Sequence, residues 1–358
     1  MKKIVINCND CFALYTFRLD LLKELRNKYE LYIIARRDNY YRLLVVEGFS
    51  IIDSSILSSK KNIFKDLKLV IFYRKIFRKI KPDIIVNYTI KPHLYGTIAS
   101  RRTKVINFVS GVGSVFLKHN LIFHFSKCIY GLIAKKVDMY VFLNKDDYLE
   151  FKKYKFIKND FKIINGEGVT LNNFYHYVDY SLPETFIFIG RLIKEKGILD
   201  YLEAAKIIKK KYPKTRFLVA GAFYDKDTVI DKDLLYSYEK EGIIEYLEFS
   251  YEINKVLRDV HVVVLPSYRE GLPISLIEGL ASKKVIIATD VSGNREVCID
   301  GYNGYLVNVK DPVDIARAME EYISLENKEL MHENALKSSL KYDKAKYVNE
   351  MVDIIEKI

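Results

Sequence analysis

The sequence predicts an α/β protein of two doubly wound, parallel-sheet domains with a ligand crevice between them. Three observations carry that reading. The chain has 358 residues, more than one hydrophobic core usually holds, so two domains of about 150 to 200 residues are expected. Short β-branched or aromatic runs alternate throughout with longer helical patterns, the mark of βαβ units. A stretch rich in Gly and Asn and without periodicity, residues 165–184, separates two such series.

In the first series the strand runs are KIVIN, LYIIAR, FSIID, DIIVNYT, KVINFVS, MYVFLN and KIING, beginning at Lys3, Leu31, Phe49, Asp83, Lys104, Met139 and Lys162. In the second they are TFIFIG, RFLVAG, YLEF, VHVVVLPS, KVIIATD and GYLV, beginning at Thr185, Arg216, Tyr246, Val260, Lys284 and Gly304. The domains expected from this pattern are residues 1–170 and 183–335, with 336–358 ending in a helix that packs back on the first domain. Sheets of this kind bind ligands outside the carboxyl ends of their strands.

Bulk composition narrows the function classes. With 49% hydrophobic and 13% aromatic residues the chain supports a sizeable core and is not a disordered segment. The N-terminal apolar run is broken by Asn7, Asn9 and Asp10, which argues against a signal peptide. No apolar run reaches the ~18 residues of a spanning helix, so the expected place is the cytoplasm or the inner face of the cytoplasmic membrane. Four cysteines, Cys8, Cys11, Cys128 and Cys298, are too few for a disulfide scaffold. The CNDC spacing of Cys8 and Cys11 lacks a second such pair for zinc, and reads as a loop after the first strand.

Charge is unevenly placed. Residues 1–180 hold 32 Lys and Arg against 16 Asp and Glu, a net +16, while the remaining 26 and 30 leave −4. The first half is a basic module and the second is not.

The chemistry concentrates in the second half. In FIFIGRLIKEKGILDYLEAAKIIKK a buried strand ends at Gly190, Arg191 and Lys196 follow, and a helix begins near Gly197. A glycine turn, helix-terminal N–H groups and cations make a diphosphate site. Cations fixed there stabilise a leaving diphosphate as its charge develops. Solvated side chains on an ordinary βα turn are the other reading of this segment.

In REGLPISLIEGLA, Pro273 suits the first helical position. Helical spacing then places Ile274, Ile277, Glu278 and Ala281 in one stripe. Glu278 thus interrupts an apolar face, and a buried carboxylate needs partners. Ligand hydroxyls are one answer; a nearby Arg or an escape to solvent is the other. Glu270, in the preceding loop, faces the same crevice. In ATDVSGNREV, Glu296 and the backbone of residues 292–294 either reach the crevice or cap a helix. The DKD triplets at 225–227 and 231–233 sit in one polar loop, which suits solvated carboxylates better than a metal pair.

Taken jointly and in this order, GR-x4-K (Gly190, Arg191, Lys196), PSYREG (residues 266–271), the E-x7-E pair (Glu270, Glu278) and YNGYLV resemble the retaining family 4 glycosyltransferases. The fold of that family is GT-B, two Rossmann-like domains facing each other across a cleft. The similarity is clear over residues 185–320 and looser before. It implies that Arg191 and Lys196, with the Gly190 turn, bind the diphosphate of a nucleotide-sugar donor. Glu278 would bind the nucleotide ribose and Glu270 the donor sugar, with backbone at Gly271 and Leu272 covering the phosphates or the sugar. Catalysis would rest on Arg191, Lys196 and Glu270 without metal or other cofactor. The acceptor would attack on the face the leaving group departs from, and the diphosphate oxygen would help to take its proton.

The first loop, NCNDCFALYTFR, lacks the glycine pair of many relatives, and neither His93 nor His119 clearly replaces their first-domain histidine. TFR and SGVGS, with IKPHLYG upstream, instead resemble a subgroup that extends polyprenyl-diphosphate-linked sugars, including bacterial N-acetylgalactosaminyltransferases. In that reading Arg18, Ser110, Gly111 and Gly113 lie on the acceptor or phosphate side, and UDP is the favoured nucleotide.

Two segments suit a lipid-linked acceptor. Residues 60–82 carry nine Lys or Arg among apolar and aromatic side chains, a basic amphipathic helix that can lie on an anionic membrane. Residues 115–136 are more apolar, yet Lys118 and Lys127 deny them a span. An ordinary helix with a solvated cationic face is the alternative for both. A nucleic-acid-binding protein would use the basic half and its aromatics, but no such motif occurs and GR-x4-K and Glu278 go unexplained. Within enzymes, the alternatives are a transferase using a non-lipid acceptor and a sugar-nucleotide epimerase on the same fold.

Overall fold

The computed structural model describes residues 1–55, 63–111, 121–223, 230–250 and 252–358. It divides into two compact units, residues 1–167 with 345–358, and residues 168–344.

In the first unit seven parallel strands, β1 (Lys3–Asp10), β2 (Glu30–Arg36), β3 (Ile51–Asp53), β4 (Ile84–Tyr88), β5 (Lys104–Val109), β6 (Met139–Phe142) and β7 (Asp160–Ile163), lie in the order β3-β2-β1-β4-β5-β6-β7. In the second, β8 (Thr185–Ile189), β9 (Arg216–Ala220), β10 (Glu245–Tyr246), β11 (Val262–Leu265), β12 (Val285–Thr289) and β13 (Gly304–Val307) lie in the order β10-β9-β8-β11-β12-β13. All thirteen strand runs of the sequence are present. Runs such as VVVL and VIIAT are mostly β-branched and apolar throughout their inner residues because helices cover both faces of a parallel sheet, and every residue of β11 and β12 is buried. The chain order reverses between β1 and β4 and between β8 and β11, which makes these the switch points where such sheets take ligands.

Local details differ from the sequence reading. No loop follows β1: the strand runs to Asp10, whose carboxylate caps helix Cys11–Lys28 by accepting from Ala13 N–H (3.0 Å). Cys8 and Cys11 are therefore interior, and burial pushes both thiols up, Cys11 to about 12, the reverse of a reactive cysteine. The division between the units, at 167/168, falls inside the 165–184 stretch, but residues 168–182, placed before the second domain in the sequence reading, belong to the second unit. Val169 N–H donates to Tyr342 O, Lys284 Nζ to Tyr177 O and His261 Nε2 to Asp179 O. Residues 336–344 stay with that unit too, and only 345–358, most of helix Lys344–Glu356, joins the first.

Three in-register asparagines tie the first sheet across its switch point. Asn7 Nδ2 donates to Asn87 Oδ1 (3.0 Å) and Asn87 Nδ2 to Asn107 Oδ1 (2.9 Å), from β1 through β4 to β5. Gly96 packs over this ladder, where a Cβ would stand 2.6 Å from Asn87 Oδ1. Tyr73, on the inner face of helix Ile63–Ile80, donates to Asn7 Oδ1 (2.9 Å). Buried amides are held in this arrangement by the hydrogen bonds they donate to one another.

Candidate active site at the switch point of the second sheet

The carboxyl ends of β8 and β11 carry the sequence motifs into one place. After β8 the chain passes Gly190 and exposed Arg191 and makes a short turn at Lys194–Lys196. It enters helix Ile198–Lys211 through Gly197 at φ 72°. A Cβ on Gly197 would stand 2.0 Å from Pro266 O, so only glycine lets this turn lie against the loop that follows β11. Tyr268 N–H donates to Glu195 O (2.9 Å) and fastens the two loops together. Across them Lys196 Nζ donates to Glu270 Oε1 at 2.5 Å. GR-x4-K and PSYREG, some seventy residues apart, thus meet in an ion pair.

Helix Ile274–Ala281 starts one residue later than expected. Pro273, with ψ 104°, is its extended N-cap and not its first helical residue. Leu276, Ile277 and Leu280 turn into the core, while Glu278 keeps some access to solvent. Its carboxylate meets no hydrogen-bond or ion-pair partner among the described residues. Burial pushes it up to about 7, offset only in part by the Lys344 ammonium. A carboxylate so placed gains from any ligand that supplies hydroxyl donors.

Residues outside the two motifs hold this geometry. Thr289 Oγ1 donates to Ser267 O. Asn294 Nδ2 donates to Thr289 O and Oγ1 (both 3.0 Å). Gly293 N–H and Ser292 Oγ both donate to Glu270 O (3.2 and 3.3 Å). The residue 292–294 backbone is thereby joined to the Glu270 loop. Glu296 O accepts from Tyr342 Oη and Lys341 Nζ. Asp200 and Tyr268 share a further hydrogen bond from the first turn of the helix after Gly197 to the same loop. For Thr289 the signal available in the sequence was positional: it ends β12, the next carboxyl end in the sheet, just before the 292–294 backbone already read as able to reach the crevice.

The first unit places its residues differently. Arg18 lies inside helix Cys11–Lys28, 3% exposed, with its guanidinium donating to Glu167 Oε1 and to Ala13 O (2.9 Å) and stacked 4.1 Å over the Tyr88 ring. Contrary to the phosphate-facing expectation, this structure commits Arg18 to an internal ion pair. His93, at the carboxyl end of β4, donates through Nε2 to Phe108 O (2.9 Å), and burial lowers it to about 4, so it is a neutral interior group. Ser110 is exposed directly after β5, and Gly111 follows at φ 133°. Gly113 and His119 lie outside the described residues, as does the first DKD triplet. In the second, Asp231 caps helix Lys232–Lys240 by accepting from Asp233 N–H. Among the described residues no three His, Cys, Asp or Glu side chains gather as a metal set.

Helix Ile63–Ile80 turns Leu69, Val70, Tyr73, Phe77 and Ile80 inward. Leu67 and Ile71 are 60% and 58% exposed beside Lys68, Arg74, Lys75, Arg78 and Lys79. Ile71 and the last four of these cations line a hollow of about 580 Å³. Helix Leu121–Ile133 exposes Leu132; residues 115–120 of that segment lie outside the described residues. No described helix is long and apolar enough to cross a membrane.

Comparison with known proteins brings the two halves under matching headings. Residues 178–338 match the family model Glycosyl transferases group 1, and residues 7–144 match Glycosyl transferase 4-like. The chain is 25% identical over 353 residues to N,N'-diacetylbacillosaminyl-diphospho-undecaprenol alpha-1,3-N-acetylgalactosaminyltransferase of Campylobacter jejuni, covering 92% of each chain. It is 26% identical over 278 residues to the Escherichia coli UDP-Gal:alpha-D-GlcNAc-diphosphoundecaprenol alpha-1,3-galactosyltransferase, covering 70% of this chain and 68% of that one. Among solved structures, Anabaena HepE in complex with UDP superposes with a TM-score of 0.80 at 16% identity over 99% of this chain and all of the other. Sucrose-phosphate synthase from Thermosynechococcus elongatus superposes with 0.79 at 14% identity over 99% of both.

Proposed function

The chain belongs to the glycosyltransferases that join a 4-like domain to a group 1 domain in the GT-B fold, and from that premise we propose that it transfers a sugar from a nucleoside diphosphate donor to a polyprenyl-diphosphate-linked saccharide. The observation that carries the donor half is the pair at the β8/β11 switch point, Lys196 against Glu270, with exposed Arg191 in the turn after β8 and Glu278 without a hydrogen-bond or ion-pair partner among the described residues. In this reading Glu278 accepts from the ribose diol, Lys196 and Arg191 meet the diphosphate, and Glu270 accepts from the sugar hydroxyls. The backbone of Gly190, Gly271 and Leu272 lines the phosphates. UDP is the favoured nucleotide and an N-acetylhexosamine such as GalNAc the favoured sugar, in keeping with the names of the relatives.

The chemistry follows from charge. As the bond from the anomeric carbon to the diphosphate oxygen lengthens, negative charge grows on that oxygen, and fixed cations lower the barrier. The same oxygen takes the acceptor hydroxyl proton on the face it leaves, so configuration is retained without a metal. Ser110, Gly111 and Gly113 are assigned to the acceptor side. Arg18 joins them only if its pair with Glu167 opens. The outward face of helix Ile63–Ile80, two apolar side chains amid five cations, is assigned to the anionic membrane that holds the acceptor, each cation adding about 1 kcal/mol near anionic lipid.

The deciding experiment incubates a synthetic polyprenyl-diphosphate saccharide with a panel of nucleotide sugars and reads mass gain, then anomeric configuration by NMR. A single added sugar in the donor's configuration, undiminished in excess EDTA, is expected. An inverted product or complete loss in EDTA would overturn the retaining, metal-free assignment. A thermal shift with UDP and none with DNA separates this reading from nucleic-acid binding.

A further inference from the structure

We infer that the Glu270 carboxylate is a built-in stand-in for the donor diphosphate: it occupies Lys196 in the ligand-free enzyme, yields that cation when a diphosphate arrives, and takes it back when the sugar has left. The inference rests on the donor reading above and adds an order of events to it. The Lys196 and Glu270 side chains touch at 2.5 Å and are 20% and 10% exposed. A carboxylate and a phosphate offer an ammonium group the same anionic oxygen. The two anions repel when both press on one cation in a partly dehydrated site, so the arrival of one favours departure of the other.

The backbone on both sides is immobilised. Lys196 N–H donates to Ile193 O (3.0 Å), Gly197 is wedged against Pro266 O, and Gly293 and Ser292 hold Glu270 O from the other side. The exchange is therefore a side-chain rotation, with no loop to rebuild. Once displaced, Glu270 needs new donors, and the hydroxyls of the donor sugar supply them. A nucleoside diphosphate without its sugar displaces Glu270 and gives it nothing in return. The pair then makes the intact donor bind better than the spent one, and helps to expel product.

The test compares UDP binding by isothermal titration to the wild-type enzyme and to Glu270→Gln, which keeps the shape but gives up the charge. UDP is expected to bind the variant about tenfold more tightly, the size of one charge-assisted contact no longer displaced. UDP should inhibit the variant more strongly as product, while its turnover of nucleotide sugar falls. Unchanged or weaker UDP binding in Glu270→Gln, with wild-type binding measurable, would overturn the stand-in role and leave the donor site intact. UDP binding to neither protein would instead remove the donor reading itself. Should Glu270→Gln fold poorly by circular dichroism, Glu270→Asp, whose shorter side chain loosens the same contact, carries the same expectation.

Discussion

The two units share one topology and spend their charges in opposite ways. Each sheet reverses chain order beside its first strand, and each follows that strand with a cation, Arg18 in the first unit and Lys196 in the second. Arg18 points inward, where Glu167 neutralises it and the Tyr88 face covers it. Lys196 stays at the rim, paired with a carboxylate that can be displaced, and Glu278, on the helix after the Glu270 loop, has no hydrogen-bond or ion-pair partner among the described residues. The difference teaches that topology supplies a place for a ligand, whereas burial of charge decides whether a given side chain serves it. A closed ion pair is structure, and an incomplete one is a site.

That contrast can be broken most forcefully in the first unit. Arg18→Ala leaves Glu167 buried without its counter-charge and is expected to destabilise the protein by about 3–5 kcal/mol, read as a fall in denaturation midpoint, with UDP affinity of the surviving folded protein unchanged. Loss of UDP binding without loss of stability would place Arg18 at the ligand after all. Next comes Lys196→Ala, expected to lower kcat by about 10²- to 10³-fold through the missing charge at the leaving oxygen. A steady-state assay that showed only a raised KM would reduce Lys196 to a binding group.

Glu278 sharpens the comparison through pH. Its carboxyl, raised from 4.5 to about 7 in the folded protein, binds a proton more tightly folded than unfolded. It therefore lowers stability as pH rises between those values. The ribose hydroxyls favour the ionised form, so UDP should bind more tightly as pH climbs through 7 and should release a proton on binding. Glu278→Gln is expected to flatten both trends and to weaken UDP by about tenfold, the worth of a hydrogen bond to a charged group. Titrations in buffers of different ionisation heat check this. The smallest effect belongs to the helix Ile63–Ile80: Arg78→Gln should weaken binding to phosphatidylglycerol vesicles by about fivefold and leave turnover of a short-chain, detergent-soluble acceptor alone.

Much of this was legible in the primary structure, for identifiable reasons. β-Branched runs announce strands wherever they fall, because a parallel strand buried on both faces admits little else. Glu278 stood out in the sequence because it is polar where its helix asks for an apolar residue, and GR-x4-K because a glycine turn carries two cations into a helix start. The burial of Arg18 was not legible: nothing nearby in sequence names Glu167, 149 residues away. The unit boundary falls inside the 165–184 stretch, but its place at 167/168 was not legible, because Val169 and Tyr177 make their contacts through backbone atoms, which any sequence supplies.

By itself, then, the sequence determined the two sheets, the motifs at the ends of β8 and β11 and the basic character of the first half. All of these are local consequences of periodicity, β-branching and charge count. Tertiary structure alone decided that Lys196 meets Glu270, that Glu278 has no hydrogen-bond or ion-pair partner among the described residues, that Arg18 is sealed inside and that Leu67 and Ile71 face outward. Those outcomes depend on which distant groups come within hydrogen-bond reach and which are cut off from water. No stretch of chain encodes either until the sheets have closed around it.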